Sequence, residues 1–286
     1  MKKGIFKCIA ILVIVVGVLT LSVEDKIIGH SGSQLEKVVI KALAGAKGKY
    51  SVLVKNLKTG EEYLFYSHKE YKTGSLYKLW VMATVFNQIQ KGLLGEDEVL
   101  SEDIAVLNSN FNIDPNLAEL KDGSITLTVR EALKQMITIS HNYAALLLAE
   151  KVGLSKVAAF INENQFKESA VGVTGGSPHS TAYDIALFFE KLYKGQLADP
   201  NYTNQMLDLL KMQKLNSKLP KYLPSQIPVA HKTGEIDFLS HDAGIVYTEK
   251  GDYIIVVFSE SDYPPGAEDR IAKISRAVYD YFLSKP

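Results

Sequence analysis

The sequence has almost no cysteine, because Cys8 is the single one among 286 residues. This cysteine lies inside an apolar N-terminal run, so neither a disulfide nor a thiolate metal site is available to the folded part. An excess of one charge is also missing, since 32 Lys and Arg residues balance 32 Asp and Glu residues. No overall field therefore recruits nucleic acid or acidic partners. Internal repeats, heptad arrays and low-complexity tracts are absent from the sequence as well.

What is present is an ordinary globular composition with an unusual N-terminus. Lysines precede an apolar run from Cys8 to Val23. Positive charge before a moderate apolar segment is typical of an export signal, although a slightly longer segment could form an uncleaved anchor. We therefore predict a signal peptide or membrane anchor with its connector at residues 1–32. The folded part is expected to be secreted or membrane-anchored, on the extracytoplasmic face of a bacterial membrane.

Hydrophobic periodicity predicts a helix, two strands, a helical block, three strands and a final helix. Apolar residues at intervals of three and four after Ser75 predict a long helix with one buried stripe. A loop-rich, acidic stretch runs from Gly95 to Gly123. The predicted strands are residues 50–56, 61–67, 227–232, 242–248 and 252–259.

This order favours an α+β fold, in which one antiparallel sheet is built from both ends of the chain and flanked by terminal helices. The middle of the chain then forms an inserted all-helical lobe. We predict a sheet lobe from residues 33–72 and 215–286 and a helical lobe from residues 73–214. A cleft between two lobes is a common place for a ligand site.

The first candidate site element is the pair Ser75 and Lys78, which are three residues apart and share a helix face. A serine hydroxyl becomes a nucleophile when a base takes its proton, and a lysine kept neutral by burial can be that base. The structural alternative is an N-capping serine followed by a solvated lysine. The pair alone does not exclude this alternative.

The second element is Ser140 with Asn142, at a junction between two predicted helices. An interhelical cap explains the pair equally well. As chemistry, Ser140 could relay a proton to a leaving nitrogen, and Asn142 could hold a substrate amide.

The third element is Lys232-Thr233-Gly234, where a strand exposes polar residues between apolar runs. A turn at the strand end is the structural alternative. A glycine within a strand permits close approach to the backbone, so the N–H of Glu235 could join that of Ser75 as an oxyanion hole. Lys232 would supply a cation for a substrate carboxylate.

Together, the three ordered motifs resemble those of the penicillin-recognising serine enzymes, and among them the class A β-lactamases. Residues 122–142 and 180–193 also resemble segments of that family, and the similarity extends over nearly everything after Gln34. The resemblance implies a β-lactamase-like fold, needs no metal or organic cofactor, and is expected to describe a monomer. It further implies the following roles. Ser75 is the acylated nucleophile, Lys78 its base, Ser140 with Lys232 the proton shuttle, and Asn142, Thr233, Gly234 and Glu235 the substrate-binding set.

The sequence departs from class A β-lactamases after the second motif. The family's long loop carries a glutamate that activates the deacylating water, whereas the corresponding stretch here is shorter and has no matching glutamate. Leu146 stands where an asparagine normally anchors that loop. Glu168 is the nearest carboxylate, and we expect it at the surface. His141 replaces the usual aspartate of the second motif; we expect it, His179 and His231 to be solvated loop side chains.

Acylation residues without a deacylating base favour a D-Ala-D-Ala carboxypeptidase or transpeptidase that β-lactams inhibit. A peptidoglycan stem peptide or a β-lactam would then be its partner molecule. Two alternatives stay open. One is a true β-lactamase that deacylates by a different route, and the other is a β-lactam-binding sensor that is acylated once.

Overall fold

The computed structural model describes residues 33–173 and 176–285. Its strands, within those ranges, are β1 (Lys49–Asn56), β2 (Glu62–Phe65), β3 (Tyr71–Lys72), β4 (Val99–Asp103), β5 (Ser124–Thr128), β6 (His179–Ser180), β7 (Val229–Ile236), β8 (Leu239–Val246) and β9 (Tyr253–Glu260). Five of them form one antiparallel sheet in the order β2-β1-β9-β8-β7. The sheet thus unites strands from both chain ends, which confirms the predicted topology.

The helices of the same ranges are α1 (Gln34–Leu43), α2 (Lys78–Gln90), α3 (Ile104–Asn110), α4 (Val129–Thr138), α5 (Asn142–Val152), α6 (Leu154–Glu163), α7 (Ala182–Tyr193), α8 (Pro200–Lys211) and α9 (Pro264–Leu283). Side-chain caps begin several of them, including Thr128, which forms a capping box with Glu131 before α4. Reciprocal caps of this kind satisfy backbone donors that have no partner inside the helix.

Apolar packing covers both faces of the five-stranded sheet. One face carries Val52 and Val257, which belong to the same apolar cluster as Ile271 of α9. On the other face, Leu53 and Val256 join the large cluster of the helical block. Since side chains alternate between faces along a strand, the uninterrupted apolar run of β9 is what a strand buried on both sides requires.

The helix α2 is buried around nearly its whole circumference, because every residue from Lys78 to Phe86 is buried. The sequence pattern predicted a single buried stripe, and the structure differs because other helices surround α2 on all sides. A 3₁₀ turn, Gly74–Tyr77, precedes α2, so the α-helix begins at Lys78 rather than near Ser75. Residues i and i+3 eclipse in a 3₁₀ turn, which still places Ser75 and Lys78 on one side.

Two short ribbons accompany the helical block: β3 pairs with β6, and β4 pairs with β5. The stretch 95–123, predicted as loop, contains β4 and α3. These elements are short and largely exposed, so their sequences carry little periodic signal. The division into lobes at residues 73 and 215 stays a prediction.

Among the described helices, none combines the length and the apolar character needed to cross a membrane. The predicted signal peptide or anchor, residues 1–32, lies outside the described residues.

Candidate active site

The 3₁₀ turn that carries Ser75 is pressed against the edge strand β7. A Cβ atom on Gly74 would lie 2.6 Å from the backbone nitrogen of Glu235, and Gly74 has a φ of +50°. A Cβ atom on Gly234 would overlap the carbonyl oxygen of Thr73. Both glycines are therefore required by the close approach of the two backbones, which brings Ser75 beside residues 234–235.

Two backbone N–H groups face this contact. The two-residue turn at Asp237 and Phe238 makes Ile236 and Leu239 a hydrogen-bonded pair. Since hydrogen-bonded and non-bonded pairs alternate in an antiparallel ladder, the N–H of Glu235 points away from β8 and toward the 3₁₀ turn. The N–H of Ser75 lies in the first turn of a helix, where donors have no intrahelical partner. The N–H groups of Ser75 and Glu235 are the two donors that the predicted oxyanion hole requires.

Lys78 is fully buried and its ammonium group meets three acceptors. Its Nζ donates to the backbone oxygen of Ser140 at 2.6 Å, to Ser140 Oγ at 3.2 Å and to Asn142 Oδ1 at 2.6 Å. Burial lowers the pKa of Lys78 well below its ordinary value, and the nearby Lys232 lowers it further. A lysine with a lowered pKa releases its proton more readily, as a general base requires.

Ser140 connects the second motif to the third. Its Oγ also accepts from Lys232 Nζ at 2.9 Å, so both lysines donate to this one oxygen. The hydroxyl of Ser140 donates no hydrogen bond to any of the described residues, so its proton is not committed to a partner. Ser140 has a φ of +58°, a backbone conformation that non-glycine residues rarely adopt and that is concentrated at functional sites.

Lys232 is fully buried on β7 and donates to Ser140 and to the backbone oxygen of Thr233 at 3.0 Å. Burial lowers the pKa of Lys232 to about 7. The hydroxyl of the adjacent Thr233 is buried and has no hydrogen-bond partner among the described residues. A buried polar group without a partner is costly, and a ligand oxygen is one group that could satisfy it.

Glu119 is a site residue that the sequence analysis missed. Its Oε1 accepts from Asn142 Nδ2 at 2.5 Å, so Asn142 bridges a carboxylate on one side and Lys78 on the other. Glu119 is exposed in the loop after α3. No local motif marks it, because its partner is 23 residues away along the chain.

Lys218 is the second missed residue. It is buried between α8 and β7, and its Nζ forms an ion pair with Glu235 Oε1. The segment that connects α8 to β7 has no hydrophobic periodicity or motif that marks this lysine. Only its burial distinguishes it from a surface lysine. Lys218 lowers and Glu235 raises the pKa of Lys232, which shows that these charges act on the same region.

The carboxylate of Glu168 contacts residues outside the group formed by Lys78 and Lys232. Its carboxylate contacts His68 Nδ1 at 2.8 Å and accepts from Thr181 Oγ1 at 2.6 Å. Its side chain is 35% exposed, so it is half-buried rather than at the open surface. Within the described residues, no hydrogen bond joins Glu168 to Lys78 or Ser140. Leu146 packs in an apolar cluster with Ile104, Leu107 and Tyr143.

The three histidines differ from one another. His141 caps α5, because its Nδ1 accepts from the N–H of Ala144 at 3.1 Å. His179 is partly exposed on β6. His231 contradicts the expectation of a solvated side chain: it is buried on β7 and contacts Asp242 at 2.9 Å and Asn216 at 3.0 Å. The expectation was wrong because His231 lies within β7, where packing covers both faces of the sheet.

The structure therefore brings Lys78, Ser140, Asn142 and Lys232 into one hydrogen-bonded group. Ser75 lies in the 3₁₀ turn that leads to Lys78, and residues 233–235 of β7 lie against that turn. In the part of the chain described, no group of three or more His, Cys, Asp and Glu side chains is arranged to hold a metal ion.

Comparison with known proteins shows the family to which this chain belongs. Residues 33–282 match the Beta-lactamase enzyme family, and the chain belongs to that family. The predicted resemblance and the predicted fold class are both confirmed. The comparison with curated protein sequences gave no match.

Solved structures give the same fold. A β-lactamase from Sphaerobacter thermophilus is 24% identical, with a TM-score of 0.76, over 88% of this chain and 98% of that one. A β-lactamase from Chitinophaga pinensis is 21% identical, with a TM-score of 0.76, over 87% and 99%. PBP-A is 20% identical, with a TM-score of 0.75, over 88% and 96%. The similarity is to both β-lactamases and a protein named as a PBP.

Proposed function

We propose that this β-lactamase-family serine hydrolase is a D-Ala-D-Ala peptidase that is acylated at Ser75. The observation that carries the proposal is an asymmetry of the site. Lys78 and Lys232 both donate to Ser140, whereas the carboxylate of the shortened loop, Glu168, is bound to His68 and Thr181. The site thus has the residues for acylation of the serine, but the loop supplies no unbound carboxylate that could activate a hydrolytic water.

Acylation begins, in this proposal, with proton transfer from Ser75 to Lys78. Neutral Lys78 has a lone pair and two N–H groups, so it gives up one of its three present contacts and accepts the proton of Ser75. The serine oxygen then bonds to the substrate carbonyl carbon. The resulting oxyanion lies near the N–H groups of Ser75 and Glu235, which compensate its charge.

The leaving nitrogen needs a proton as its bond to the carbonyl carbon breaks. Ser140 donates that proton from its hydroxyl, and the proton taken up by Lys78 replaces it across the 3.2 Å contact. Lys232 donates to the same oxygen and stabilises the transient negative charge on it.

The fate of the acyl-enzyme separates the two substrate classes. After attack on a peptide, the D-alanine leaves as a free molecule, and water or an amine can enter from its position. A ring-opened β-lactam keeps its leaving nitrogen tethered and blocks that entry. Without a positioned base, a β-lactam adduct should persist. A PBP-A variant has been solved as an acyl-enzyme complex with penicillin G, which supports this class of adduct for the fold.

A second candidate function is a true β-lactamase, and Glu119 favours it. Glu119 is the carboxylate that a hydrogen bond links to the second motif, through Asn142 at 2.5 Å. A carboxylate near the acyl group could take a proton from water. Two of the compared structures are also named β-lactamases.

The location of the protein is part of the proposal. Lysines followed by an apolar run at residues 1–32 support export, and peptidoglycan stem peptides lie outside the cytoplasmic membrane. The protein would act there without a metal or organic cofactor, since each proton transfer above has a side chain to carry it.

The test uses the protein from residue 33 onward with a chromogenic cephalosporin and with a D-Ala-D-Ala peptide. Intact mass should show a persistent adduct that is absent in Ser75→Ala, and the peptide should release D-alanine. Lys78→Ala should slow acylation by on the order of 10³-fold, as loss of a general base does.

Rapid multiple turnover of the cephalosporin with no D-alanine release would replace the peptidase with the β-lactamase. In that case Glu119→Gln should convert the enzyme into one that accumulates the adduct. An adduct on a residue other than Ser75, or none, would contradict both candidates.

A further inference from the structure

Lys218 and Glu235 form an ion pair at the edge of the candidate site, and the role given to it below rests on the proposed function. Lys218 is 0% exposed, and the Glu235 carboxylate is the hydrogen-bond partner of its ammonium group. The side chain of Glu235 is itself 50% exposed. One member of the pair is thus fixed in the protein, and the other is free to swing into solvent.

Lys218 cannot leave its place easily. The next residue, Leu219, is buried, and its N–H donates to Asp242 Oδ2 at 3.0 Å on the neighbouring strand β8. A buried ammonium without a counter-charge is strongly unfavourable. Lys218 therefore needs an anionic partner at all times, whether that partner belongs to the chain or to a bound molecule.

The position of this cation is beside the reacting centre. The backbone of Glu235 lies against Gly74, next to Ser75. Lys218 also acts electrostatically on Lys232, whose ammonium belongs to the acylation group. Thr233, next to Lys232 on β7, has a buried hydroxyl that has no partner among the described residues. Lys218, Lys232 in its protonated form and this unpaired hydroxyl are the donors that a substrate carboxylate would contact.

We propose that the Glu235 carboxylate is an internal competitor, which holds Lys218 until the carboxylate of a substrate displaces it. The exchange trades one anion for another on Lys218, so the buried cation keeps its counter-charge throughout. A substrate carboxylate additionally satisfies Thr233, which Glu235 leaves without a partner. A substrate lacking a carboxylate gains nothing from the exchange. Glu235 is thereby a specificity-determining residue through its side chain, separately from its backbone N–H.

The experiment compares benzylpenicillin, which carries a free carboxylate, with its methyl ester, which does not. The second-order rate constant for acylation of the protein is measured by intact mass for both compounds. Glu235→Gln keeps the shape of the side chain and removes its charge. We expect the acid-to-ester ratio of rate constants to rise on the order of tenfold in this variant, since a charged hydrogen bond no longer competes.

The matched control is Glu249→Gln, which removes the same charge from an exposed turn between β8 and β9. Its ratio should equal that of the parent protein. Glu235→Asp provides a second variant, should the glutamine variant fold poorly. The shorter carboxylate reaches Lys218 less well, and the ratio should rise by a smaller factor.

A ratio that stays constant or falls in Glu235→Gln would overturn the internal competitor. It would mean that the Glu235 carboxylate positions Lys218 for the substrate and does not compete with the substrate carboxylate. If the parent protein formed no adduct with either compound, the proposed function itself would fail and the inference with it. An adduct with an unchanged ratio would remove only the inference.

Discussion

Replacing Lys232 with methionine should stabilise the protein in a way that depends on pH. Lys232 is fully buried, and burial lowers its pKa from 10.5 to about 7. Above about pH 7 the native lysine is therefore neutral, while the unfolded chain holds a proton on it up to its ordinary pKa. Because the unfolded state binds more protons in this window, the free energy of unfolding rises with pH.

The magnitude follows from the linkage relation. Each pH unit in which the two states differ by one proton changes the free energy of unfolding by about 1.4 kcal/mol. Between about pH 7 and about pH 9, Lys232 should thus contribute a rise of about 2–3 kcal/mol. Methionine has no proton to bind, so Lys232→Met loses this rise. Its stability relative to the parent should be higher at the lower pH by the same amount.

Urea unfolding of both proteins at the two pH values measures this difference directly. Lys250→Met serves as the control, because Lys250 is exposed in the turn between β8 and β9 and its removal should give the same change at both pH values. If the stability difference between Lys232→Met and the parent did not vary with pH, burial would not lower the pKa of Lys232 to about 7, and the reasoning would be refuted. The variant should also lose most of its acylation activity, which would separate stability from function at one residue.

Two further substitutions test the backbone contact and the buried pair. Gly234→Ala places a Cβ against the carbonyl of Thr73, and we expect a loss of about 1–3 kcal/mol in unfolding free energy with slower acylation. Gly95→Ala is the control, because the nearest atom to its new Cβ would be 3.8 Å away, and it should change neither measurement. Asp242→Asn alters a buried carboxylate that contacts His231 and accepts from the N–H of Leu219, and it should lower the free energy of unfolding by about 1–3 kcal/mol. An unchanged stability in urea denaturation would contradict this, because it would mean that an amide replaces the carboxylate in both hydrogen bonds without loss.

The sequence determined the elements whose signal is local. The strand β9 is recognisable because a run buried on both faces is apolar throughout, and the hairpin β1–β2 because its turn residues separate two apolar runs. Ser75 and Lys78 are recognisable as a pair because their spacing alone brings them to one side of a helical turn. Ordered motifs then pointed to the family without any coordinates.

Tertiary structure alone decided which charges share a space. Glu119 meets Asn142, and Lys218 meets Glu235, across 23 and 17 residues of chain, and no periodicity records such contacts. The burial of His231 was likewise invisible, because the local sequence does not show that packing covers both faces of β7. A lysine's pKa depends on the dielectric and the charges that packing places around it, so only the folded chain could distinguish Lys232 from a lysine in solvent.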